Sequence, residues 1–495
     1  MKNNDKGTVS FLFLNPPDPD GGIWMKEVGR CGRKAIGGEI WPQTGLAYLA
    51  AMVEREGGRC RIIDGMAKTM SIDVLVHECR DWKPDVIIAN SATPTLKNDS
   101  LVLHELVQAT GALPVFAGPH VSALPESTLS ETCAEVGLVN EAEETVAELY
   151  RIIAERPEAF QDRSEAFYES LGEIRGIVWK KGEKIVLNPP RPMIEDLDSL
   201  PLPARHLLPM QKYHMPFFQK HAFATIIPSR GCPWPCTFCR AGRVWGRKIR
   251  SRSVQSIINE INELREIFSI RHLVFMTDSL TLDRNWAKEL FQAIMDLPEK
   301  PEWICNSRVD VVSPDMLALM KQANCQMISY GLESGSQEVL KRCRKGITLE
   351  QSARAIELTR EAGLLSMAYF IIGLPGETRK SVQDTIRFAK KIRPDYVNFH
   401  VATPFPGTEL YEEAVQKGWL CSDRWEDFEE EGSAVMQAGE LTPEELEAWQ
   451  AKAMRSFYMR PGRMLHELAA LRSWSEFTAK ARAGIKMLTT LGSRK

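Results

Sequence analysis

The first 150 residues alternate short apolar runs with stretches whose apolar positions recur at helical spacing. Such recurrence predicts amphipathic helices, whereas short apolar runs bounded by turn residues predict strands. The predicted helices are Thr44–Glu56 and stretches around Val74–Glu78, Leu101–Ala109 and Glu144–Ile153. The predicted strands are Val9–Leu14, Cys60–Ile63, Val86–Ala89, Val115–Ala117 and Val136–Val139. This α/β alternation indicates a doubly wound, flavodoxin-like sheet, which binds its ligand beyond the carboxyl ends of its strands.

Four of these strand ends carry small or turn-forming residues. The segments are "NPPDPDGG", "NSATPT", "AGPHVSALPE" and "NEAEE", after the first, third, fourth and fifth strands. Each segment alone is typical of a short turn between strand and helix. Four of them on one edge favour a binding surface that lets a large planar ligand approach the backbone.

A connector and a second alternation follow. Residues 156–220 contain a polar helix, a hairpin "GIVWKKGEKIVLNPP" and a proline-rich stretch that forbids continuous helix. The next strands are predicted near Ala222–Pro228, His272–Met276, Trp303–Cys305, Met327–Leu332, Ser366–Ile372 and Val397–Val401. Helices are predicted near 253–268, 284–297, 314–323, 348–362 and 378–392. Six strands with their helices indicate a partial (β/α)6 barrel, with its chemistry at the carboxyl ends of the strands.

Composition limits the class of protein. With 495 residues, 44% hydrophobic and 26% charged, the chain is typical of a globular protein with more than one domain. A net charge of −3 gives no reason to expect a nucleic-acid partner. The eleven cysteines are odd in number and irregularly spaced, and no signal peptide or apolar run of about 18 residues is found, which favours the cytoplasm.

The C-terminal region, 411–495, is predicted to be helical and changes its charge along its length. Residues 425–450 carry only acidic charges, and 451–495 are basic with Trp474, Phe477 and Met487 interleaved. Two interpretations stay open. A helix packed against the barrel is favoured, and a helix on an anionic membrane surface would place the protein at the inner face of the membrane.

Three cysteines stand in "PSRGCPWPCTFCRAG", directly after the first strand of the predicted barrel. Their spacing is Cys-x3-Cys-x2-Cys, at Cys232, Cys236 and Cys239. A four-iron cluster usually takes four thiolates, so three leave one iron open to an outside ligand. Phe238 can shield such a cluster from water.

A zinc site is the alternative for this triplet. It would need a further ligand, and Cys305, Cys325 and Cys343 lie on later elements from which they could reach inward. No second close cysteine pair or histidine partner accompanies the triplet, and therefore the spacing favours the cluster.

The motif "CPWPCTFC" resembles the cluster motif of radical S-adenosylmethionine (SAM) enzymes. "FMTDSLT", "SYGLESGSQEVLKRCRKG", "AYFIIGLPGET" and "NFHVATPFPGTELY" are similar to that family's second, fourth, fifth and sixth strand segments. The resemblance covers the predicted domain 221–410. It implies that Cys232, Cys236 and Cys239 bind a [4Fe–4S] cluster whose open iron is chelated by SAM.

The same resemblance assigns further residues to the SAM site. Glu333 and Ser334 are implied near the ribose and the amino-acid moiety. Ile371, Gly373 and Glu377 are similar to the segment beside the adenine. Asp278 is also assigned to the SAM site, although its segment "TDS" departs from the "DDxFT" form that is frequent in the second strand segment of the family.

The N-terminal segments "FLNPP", "WPQTGLAYLAAMVE", "IID", "AGPHVSALPE" and "NEAEET" resemble the cobalamin-binding domain of cobalamin-dependent radical SAM enzymes. This domain is expected over 1–155. The chain has no Asp-x-His-x-x-Gly motif, so the resemblance implies a corrin held without a protein histidine below cobalt. "NEAEE" departs from the family's "GEGE" by two missing glycines. The implied corrin contacts are Asn15, Pro16, Ser91, Thr93, Gly118, Pro119 and a hydrogen bond from His120.

A methylthiotransferase would instead carry three more N-terminal cysteines for a second cluster. The available ones are Cys31, Cys60, Cys79 and Cys133, which the predicted elements do not bring to one loop face. This alternative is disfavoured.

The resemblance implies a methyltransferase that acts at an unactivated carbon with methylcobalamin and a 5′-deoxyadenosyl radical, and it names no catalytic residue of the chain. Two alternatives stay open: an oxidative cyclase or rearrangement enzyme like the anaerobic magnesium-protoporphyrin ester cyclase, and a non-catalytic cobalamin or redox sensor. The expected partners are a lipid-like or porphyrin-like small-molecule substrate and a reductant protein of flavodoxin or ferredoxin type.

Overall fold

The computed structural model describes residues 8–26, 32–35, 37–219, 221–430 and 433–460. In the N-terminal part, seven strands form one sheet and two very short strands form a separate hairpin. The strands are β1 (Ser10–Asn15), β2 (Trp24–Met25), β3 (Arg33–Lys34), β4 (Arg59–Asp64), β5 (Val86–Asn90), β6 (Leu113–Ala117), β7 (Val136–Leu138), β8 (Ile177–Lys181) and β9 (Lys184–Leu187).

The order of the seven strands is β4-β1-β5-β6-β7-β8-β9. The first five are parallel, and in chain order they read 2-1-3-4-5, the flavodoxin arrangement. The predicted doubly wound sheet is confirmed. The β8–β9 hairpin, which the sequence placed in the connector, continues this sheet by antiparallel pairing with β7.

Helices cover both faces of this sheet. Each of the four predicted helices is present, and α3 begins where the Ser71 hydroxyl accepts a hydrogen bond from the Val74 amide. The helices are α1 (Thr44–Arg55), α2 (Gly65–Lys68), α3 (Ile72–Trp82), α4 (Leu96–Thr110), α5 (Pro119–Ala123), α6 (Pro125–Glu131), α7 (Glu143–Glu155), α8 (Pro157–Gln161) and α9 (Glu165–Leu171).

The second part contains six parallel strands in sequential order, β10-β13-β14-β15-β16-β17, and a short antiparallel pair, β11 with β12. The strands are β10 (Phe223–Ile226), β11 (Ser229–Arg230), β12 (Arg250–Ser251), β13 (His272–Phe275), β14 (Glu302–Ser307), β15 (Cys325–Glu333), β16 (Leu365–Ile372) and β17 (Tyr396–Val401). Because β10 and β17 are the two edges of this sheet, the predicted partial (β/α)6 barrel is confirmed.

Helices connect these strands and continue beyond them. Capping boxes at Thr348 and Thr378 start two of the barrel helices, α15 and α16. The helices are α10 (Ala241–Val244), α11 (Val254–Glu266), α12 (Arg284–Met295), α13 (Pro314–Gln322), α14 (Gln337–Arg342), α15 (Leu349–Glu361), α16 (Arg379–Ile392), α17 (Glu409–Gln416) and α18 (Pro443–Tyr458).

Both edges of the barrel sheet are covered. Helix α18 packs on β17, where Gln450 Nε2 donates to the Phe399 carbonyl at 2.8 Å. Near β10, isolated bridges join Ile40 to His214 and His214 to Ala222, and the Trp41 ring contacts Phe223 edge-on at 5.4 Å. The N-terminal segment around Trp41 therefore closes the open side of the barrel, which removes an exposed sheet edge.

The basic part of the C-terminal tail, with Trp474, Phe477 and Met487, lies outside the described residues, so both interpretations of it stay predictions. Within the described residues, no helix combines the length and the apolar character that crossing a bilayer requires.

Candidate functional site

The loop that carries the cysteine triplet leaves the barrel through Gly231. This residue has φ +105°, and a Cβ there would lie 2.0 Å from the Lys248 carbonyl oxygen, so only glycine fits. The Cys232 amide donates to the Gly246 carbonyl at 3.0 Å, and the Cys239 amide donates to the Cys236 carbonyl at 3.2 Å. Backbone hydrogen bonds thus fix both ends of the motif.

A cavity of about 530 Å³ opens beside this loop. Its wall contains seven of the residues predicted from the sequence: Cys232, Cys236, Phe238, Cys239, Asp278, Glu333 and Ile371. They come from the triplet loop and from the carboxyl ends of β13, β15 and β16, as the topology of parallel strands requires. The structure therefore brings the predicted cluster ligands and part of the predicted SAM site together.

Burial raises the pKa of the three thiols. The pKa of Cys232 is raised to about 11, chiefly by burial and then by Asp278. At Cys236 burial is again the main cause, and Lys345 and Arg308 oppose it. Iron binding would deprotonate these thiols, because a coordinating thiol loses its proton. The chemistry of the donor set therefore fits an iron–sulfur cluster.

The other cysteines considered from the sequence do not all share this cavity. Cys305 lines it, whereas Cys325 and Cys343 are buried and are not part of its wall. Over the ranges that the structure describes, no group of three or more His, Cys, Asp or Glu side chains surrounds a single ion position. In a four-iron cluster each thiolate binds a different iron, so three cluster ligands need not converge on one point.

Four cations in the wall, Arg33, Arg240, Arg308 and Lys345, were missed by the sequence reasoning, and the last two are buried in ion pairs. Lys345 Nζ lies 2.6 Å from Glu333 Oε1, with both side chains nearly buried. Arg308 donates from Nε and Nη2 to the two oxygens of Asp310, at 2.9 Å each, and its guanidinium lies 3.8 Å from the Trp234 ring centre. Neither Lys345 nor Arg308 belongs to the triplet, and only the fold reveals their proximity to it.

Three other predicted SAM-site residues lie behind the wall. The hydroxyls of Ser334 and Thr385 are 3.2 Å apart, and the Gly373 amide donates to Glu377 Oε2 at 2.5 Å. Glu377 is 2% exposed, and burial raises its pKa to about 8. None of Ser334, Gly373 and Glu377 lines the cavity.

A second, smaller cavity of about 80 Å³ lies at the carboxyl edge of the N-terminal sheet. Gly118 and Pro119 line it, together with Asn90, Asn140 and Ala142. Asn15, Pro16, Ser91 and Thr93 are buried at the ends of β1 and β5 without lining it. All these predicted residues therefore belong to one sheet edge, the edge beyond the carboxyl ends of the strands.

His120 lies in helix α5 and is fully buried. Its Nδ1 is 3.2 Å from the Thr93 hydroxyl, and its ring meets Trp425 edge-on at 5.1 Å between centres. Burial lowers the pKa of His120 to about 3, so its imidazole is neutral. His120 Nε2 and Asn15 Oδ1 are buried atoms without a hydrogen-bond partner in the described part of the chain. Such atoms at a strand-end edge fit a site that receives a polar ligand.

The segment "NEAEE" also lines this cavity, but its carboxylates are paired with arginines of the barrel domain. Glu141 and Glu143 form ion pairs with Arg230 at 3.3 and 2.5 Å, and Glu141 also pairs with Arg250 at 2.8 Å. No side chain of these four is more than 7% exposed. We call Glu141, Glu143, Arg230 and Arg250 the interdomain clamp, because it joins the fifth strand end of the first sheet to β11 and β12, which flank the cysteine loop.

A second contact reaches the other end of the triplet. Arg240, which follows Cys239, donates from Nη2 to the Pro119 carbonyl at 2.7 Å. The cysteine loop is thereby bonded on both sides to segments at the carboxyl edge of the N-terminal sheet. Sequence reasoning treated "GPH" and "NEAEE" as ligand contacts and gave no signal for this pairing.

Two family models match the chain. The model described as "B12 binding domain" matches residues 35–150, and the "Radical SAM superfamily" model matches residues 226–389. The two models together imply three cofactors: cobalamin, SAM and a [4Fe–4S] cluster. The small residues at the edge of the N-terminal sheet fit cobalamin, and the three thiols at the barrel edge fit the [4Fe–4S] cluster.

Individual proteins resemble the chain over most of its length. An uncharacterized methyltransferase of Pyrococcus horikoshii is 33% identical over 438 residues, which is 88% of this chain and 92% of that protein. The anaerobic magnesium-protoporphyrin IX monomethyl ester cyclase of Cereibacter sphaeroides is 28% identical over 75% of this chain and 60% of the cyclase.

Solved structures share this fold. One of them is the radical SAM methyltransferase TsrM from Kitasatospora setae with cobalamin and a [4Fe–4S] cluster bound. Its TM-score is 0.69 at 16% identity, over 92% of this chain and 90% of TsrM.

Proposed function

Because this chain belongs to the family of cobalamin-dependent radical SAM enzymes, we propose that it is a methyltransferase that acts at an unactivated carbon of a small-molecule substrate. One observation carries the proposal: a single cavity is lined both by the cysteine triplet and by Met25, Arg33 and Trp41 of the N-terminal domain. A substrate in this cavity would touch both halves of the enzyme. The relative from Pyrococcus horikoshii, named a methyltransferase, supports the same reaction class.

The residues of the chain have separate tasks in this proposal. Cys232, Cys236 and Cys239 hold the cluster. The exposed Asp278 and the buried Glu333, Lys345 and Arg308 orient the polar groups of SAM. The apolar side chains of Phe238 and Ile371 exclude water from the reacting atoms. At the first sheet edge, Asn15, Pro16, Ser91, Thr93, Gly118, Pro119 and His120 form the corrin site.

When bound, the reduced cluster supplies the electron that cleaves SAM, and cobalamin supplies the methyl group. In the balanced reaction a substrate C–H becomes C–CH3, and two SAM molecules give S-adenosylhomocysteine, 5′-deoxyadenosine and methionine. The two electrons consumed come from a reductant protein of flavodoxin or ferredoxin type. The substrate is lipid-like or porphyrin-like.

The proposal is tested by anaerobic reconstitution of the full chain with iron, sulfide and cobalamin, followed by incubation with SAM, a reductant and a cell extract. The expected product is heavier than its precursor by one CH2 group, and S-adenosylhomocysteine and 5′-deoxyadenosine accumulate with it. Turnover that yields 5′-deoxyadenosine and a product without a new methyl group would overturn the methyltransferase assignment.

The Cys236→Ala variant separates this enzyme from a sensor that binds cobalamin without catalysis. The variant is expected to lose reductive cleavage of SAM, because it lacks one cluster ligand. Cys421→Ala, at an exposed cysteine that does not line the cavity, is the matched control. A wild-type protein that binds cobalamin but cleaves no SAM would support the sensor.

A cyclase or rearrangement enzyme is the second candidate. The resemblance to the ester cyclase over 75% of this chain favours it. The same mass analysis separates the two reactions, since cyclisation or rearrangement adds no carbon to the substrate.

A further inference from the structure

The large cavity continues from the cysteine loop deep into the barrel. Val274, Ile304, Met327 and Met367 line it, and each is the third residue of its strand. Val274 pairs with Ile304, and Ile304 pairs with Met327, across three neighbouring strands. The interior near the amino ends of these strands is therefore open space with an apolar wall, rather than a packed core.

Further apolar side chains extend this lower wall. Met276 follows β13, Met215 and Phe217 come from the connector, and Trp41 comes from the N-terminal domain. We call these eight residues the floor: Trp41, Met215, Phe217, Val274, Met276, Ile304, Met327 and Met367. Four of them are methionines, whose flexible and polarizable side chains adapt to irregular apolar surfaces. None of these eight residues is charged, and the ion pair of Arg33 with Glu39 lies in the same cavity wall.

Between the floor and the charged wall lies a layer of neutral polar residues, Asn306, Ser329 and Tyr369. In register, Asn306 pairs with Ser329, and Tyr369 pairs with Gly331, two residues above Ser329. Asn306 Nδ2 donates to the Thr277 carbonyl at 3.3 Å. The hydroxyls of Ser329 and Tyr369 have no hydrogen-bond partner among the described residues, so they can bind a ligand oxygen.

The register gives the order of these residues from the amino to the carboxyl ends of the strands. Val274, Ile304 and Met327 form the lowest, apolar level, and Met367 lies one level higher, beside Ser329. The upper wall carries Asp278, Arg308 and Glu333 beside the cysteines. Pockets for one small molecule usually measure about 300–1,000 Å³. Because the cavity of about 530 Å³ also borders the cysteines and the charged wall, its floor suits a narrow group better than a macrocycle.

Resting on the methyltransferase function proposed above, we infer that the substrate is a neutral amphiphile with a hydrocarbon body. Its hydrocarbon part lies on the floor, and a hydroxyl or carbonyl oxygen binds Ser329 and Tyr369. The carbon that receives the methyl group lies above this oxygen, toward the cysteines. A porphyrin with several carboxylates is disfavoured, because Arg33, Arg308 and Lys345 of the cavity wall are already paired with acidic side chains.

The probe for this site is 12-bromododecanol, whose bromine quenches tryptophan fluorescence on contact. Added to the reconstituted full-length protein, it is expected to quench saturably, and Trp41→Phe should remove most of the quenching. Substituting Met327→Glu or Met367→Glu should weaken binding at least about tenfold, since a charge would face the hydrocarbon. Met459→Glu, at a methionine that is 51% exposed, should leave binding unchanged.

Two further probes test the polar layer. 12-Bromododecane lacks the hydroxyl and should bind about fivefold more weakly than the alcohol. This preference should vanish in the Ser329→Ala/Tyr369→Phe double variant. 12-Bromododecanoate carries a charge and should also bind more weakly than the alcohol. Tighter binding of the carboxylate, or equal binding of the alcohol by wild type and Met327→Glu, would overturn the inference.

The two levels of proposal fail in different ways. Saturable binding of the alcohol requires neither SAM cleavage nor methyl transfer. If the protein binds the alcohol but makes no methylated product, the result supports the apolar substrate site and refutes the methyltransferase function. If the protein methylates a charged, polar substrate and does not bind the alcohol, the result refutes the apolar substrate site and leaves the methyltransferase function supported.

Discussion

The two strand-end edges of this protein are built differently. At the barrel edge, cysteine, acidic and basic side chains point into a large cavity. At the edge of the N-terminal sheet, small residues such as Gly118 and Ala142 line a much smaller cavity together with larger polar and apolar ones, and the acidic residues Glu141 and Glu143 in its wall bind arginines of the other domain. The barrel edge presents reactive side chains, whereas the edge of the N-terminal sheet uses its acidic residues to hold the barrel loop.

The two regions also differ in the partners of their buried carboxylates. Glu141 and Glu143 are buried against Arg230 and Arg250, so their charge is compensated. Glu377, behind the barrel cavity, has no cationic partner among the described residues and accepts a hydrogen bond from the Gly373 amide. Removing one charge of the clamp should therefore lower the stability of the protein. Neutralising Glu377 should instead remove the cost of a buried carboxylate that has no cationic partner.

The largest expected effect is the loss of one cluster ligand. Cys239→Ala should abolish SAM cleavage and most of the bound iron while leaving cobalamin binding intact, because the two edges bind their cofactors with different residues. Iron content, cleavage of SAM and the cobalamin spectrum check this. A variant that keeps its iron, or that loses cobalamin together with iron, would contradict the separation of the two edges.

Breaking the interdomain clamp should have the next largest effect. Arg230→Met leaves the buried Glu143 carboxylate without its cation, which should lower the free energy of unfolding by about 3–5 kcal/mol. The urea midpoint and the iron retained by the folded protein are the measurements. Iron retention should fall because Arg230 lies two residues before Cys232.

Two controls accompany Arg230→Met. Adding Glu143→Met should restore much of the stability, because an apolar pair can replace a buried ion pair. Arg243→Met breaks an ion pair with Glu412 in which both side chains are more than half exposed, and it should cost only about 0–1 kcal/mol. An equal cost for Arg230→Met and Arg243→Met would show that the clamp stabilises nothing.

The smallest expected effect is a pH dependence at Glu377. Its pKa is raised from 4.5 to about 8 by burial, so between these values the folded state holds a proton that the unfolded state has lost. Stability should therefore fall as pH rises from about 5 to 8, by about 1–4 kcal/mol from this group. Glu377→Gln, which is neutral at every pH, should flatten the urea-derived stability curve over that window. A control at the exposed Glu444, Glu444→Gln, should keep the wild-type slope.

The fold was accessible from sequence because its signals are local. Apolar periodicity predicted all six barrel strands and all five parallel strands of the first sheet, and β15 at Cys325–Glu333 differs from its prediction by only one or two residues at each end. The cysteine triplet was equally local, since its three ligands lie within eight residues. The hairpin of β8 and β9 was predicted as well, but its pairing with β7 depends on a long-range contact.

The rest of the site depends on contacts between distant segments. Lys345 reaches Glu333 across twelve residues, and Arg230 reaches Glu143 across 87. No spacing rule links such pairs in one sequence. The segment "NEAEE" was assigned to a ligand edge because it follows a strand, and only the three-dimensional arrangement shows that its carboxylates pair with Arg230 and Arg250.

We expect the cluster and cobalamin to be held on facing strand-end edges of the two domains, close enough for one substrate to reach both; this is the central claim. Pulsed electron paramagnetic resonance of the reconstituted protein, with the cluster reduced and cobalamin in its Co(II) state, tests this claim most directly. We expect magnetic coupling between the two centres in wild type, and an uncoupled Co(II) signal in Cys236→Ala. Two magnetically independent centres in the wild-type protein would contradict the account.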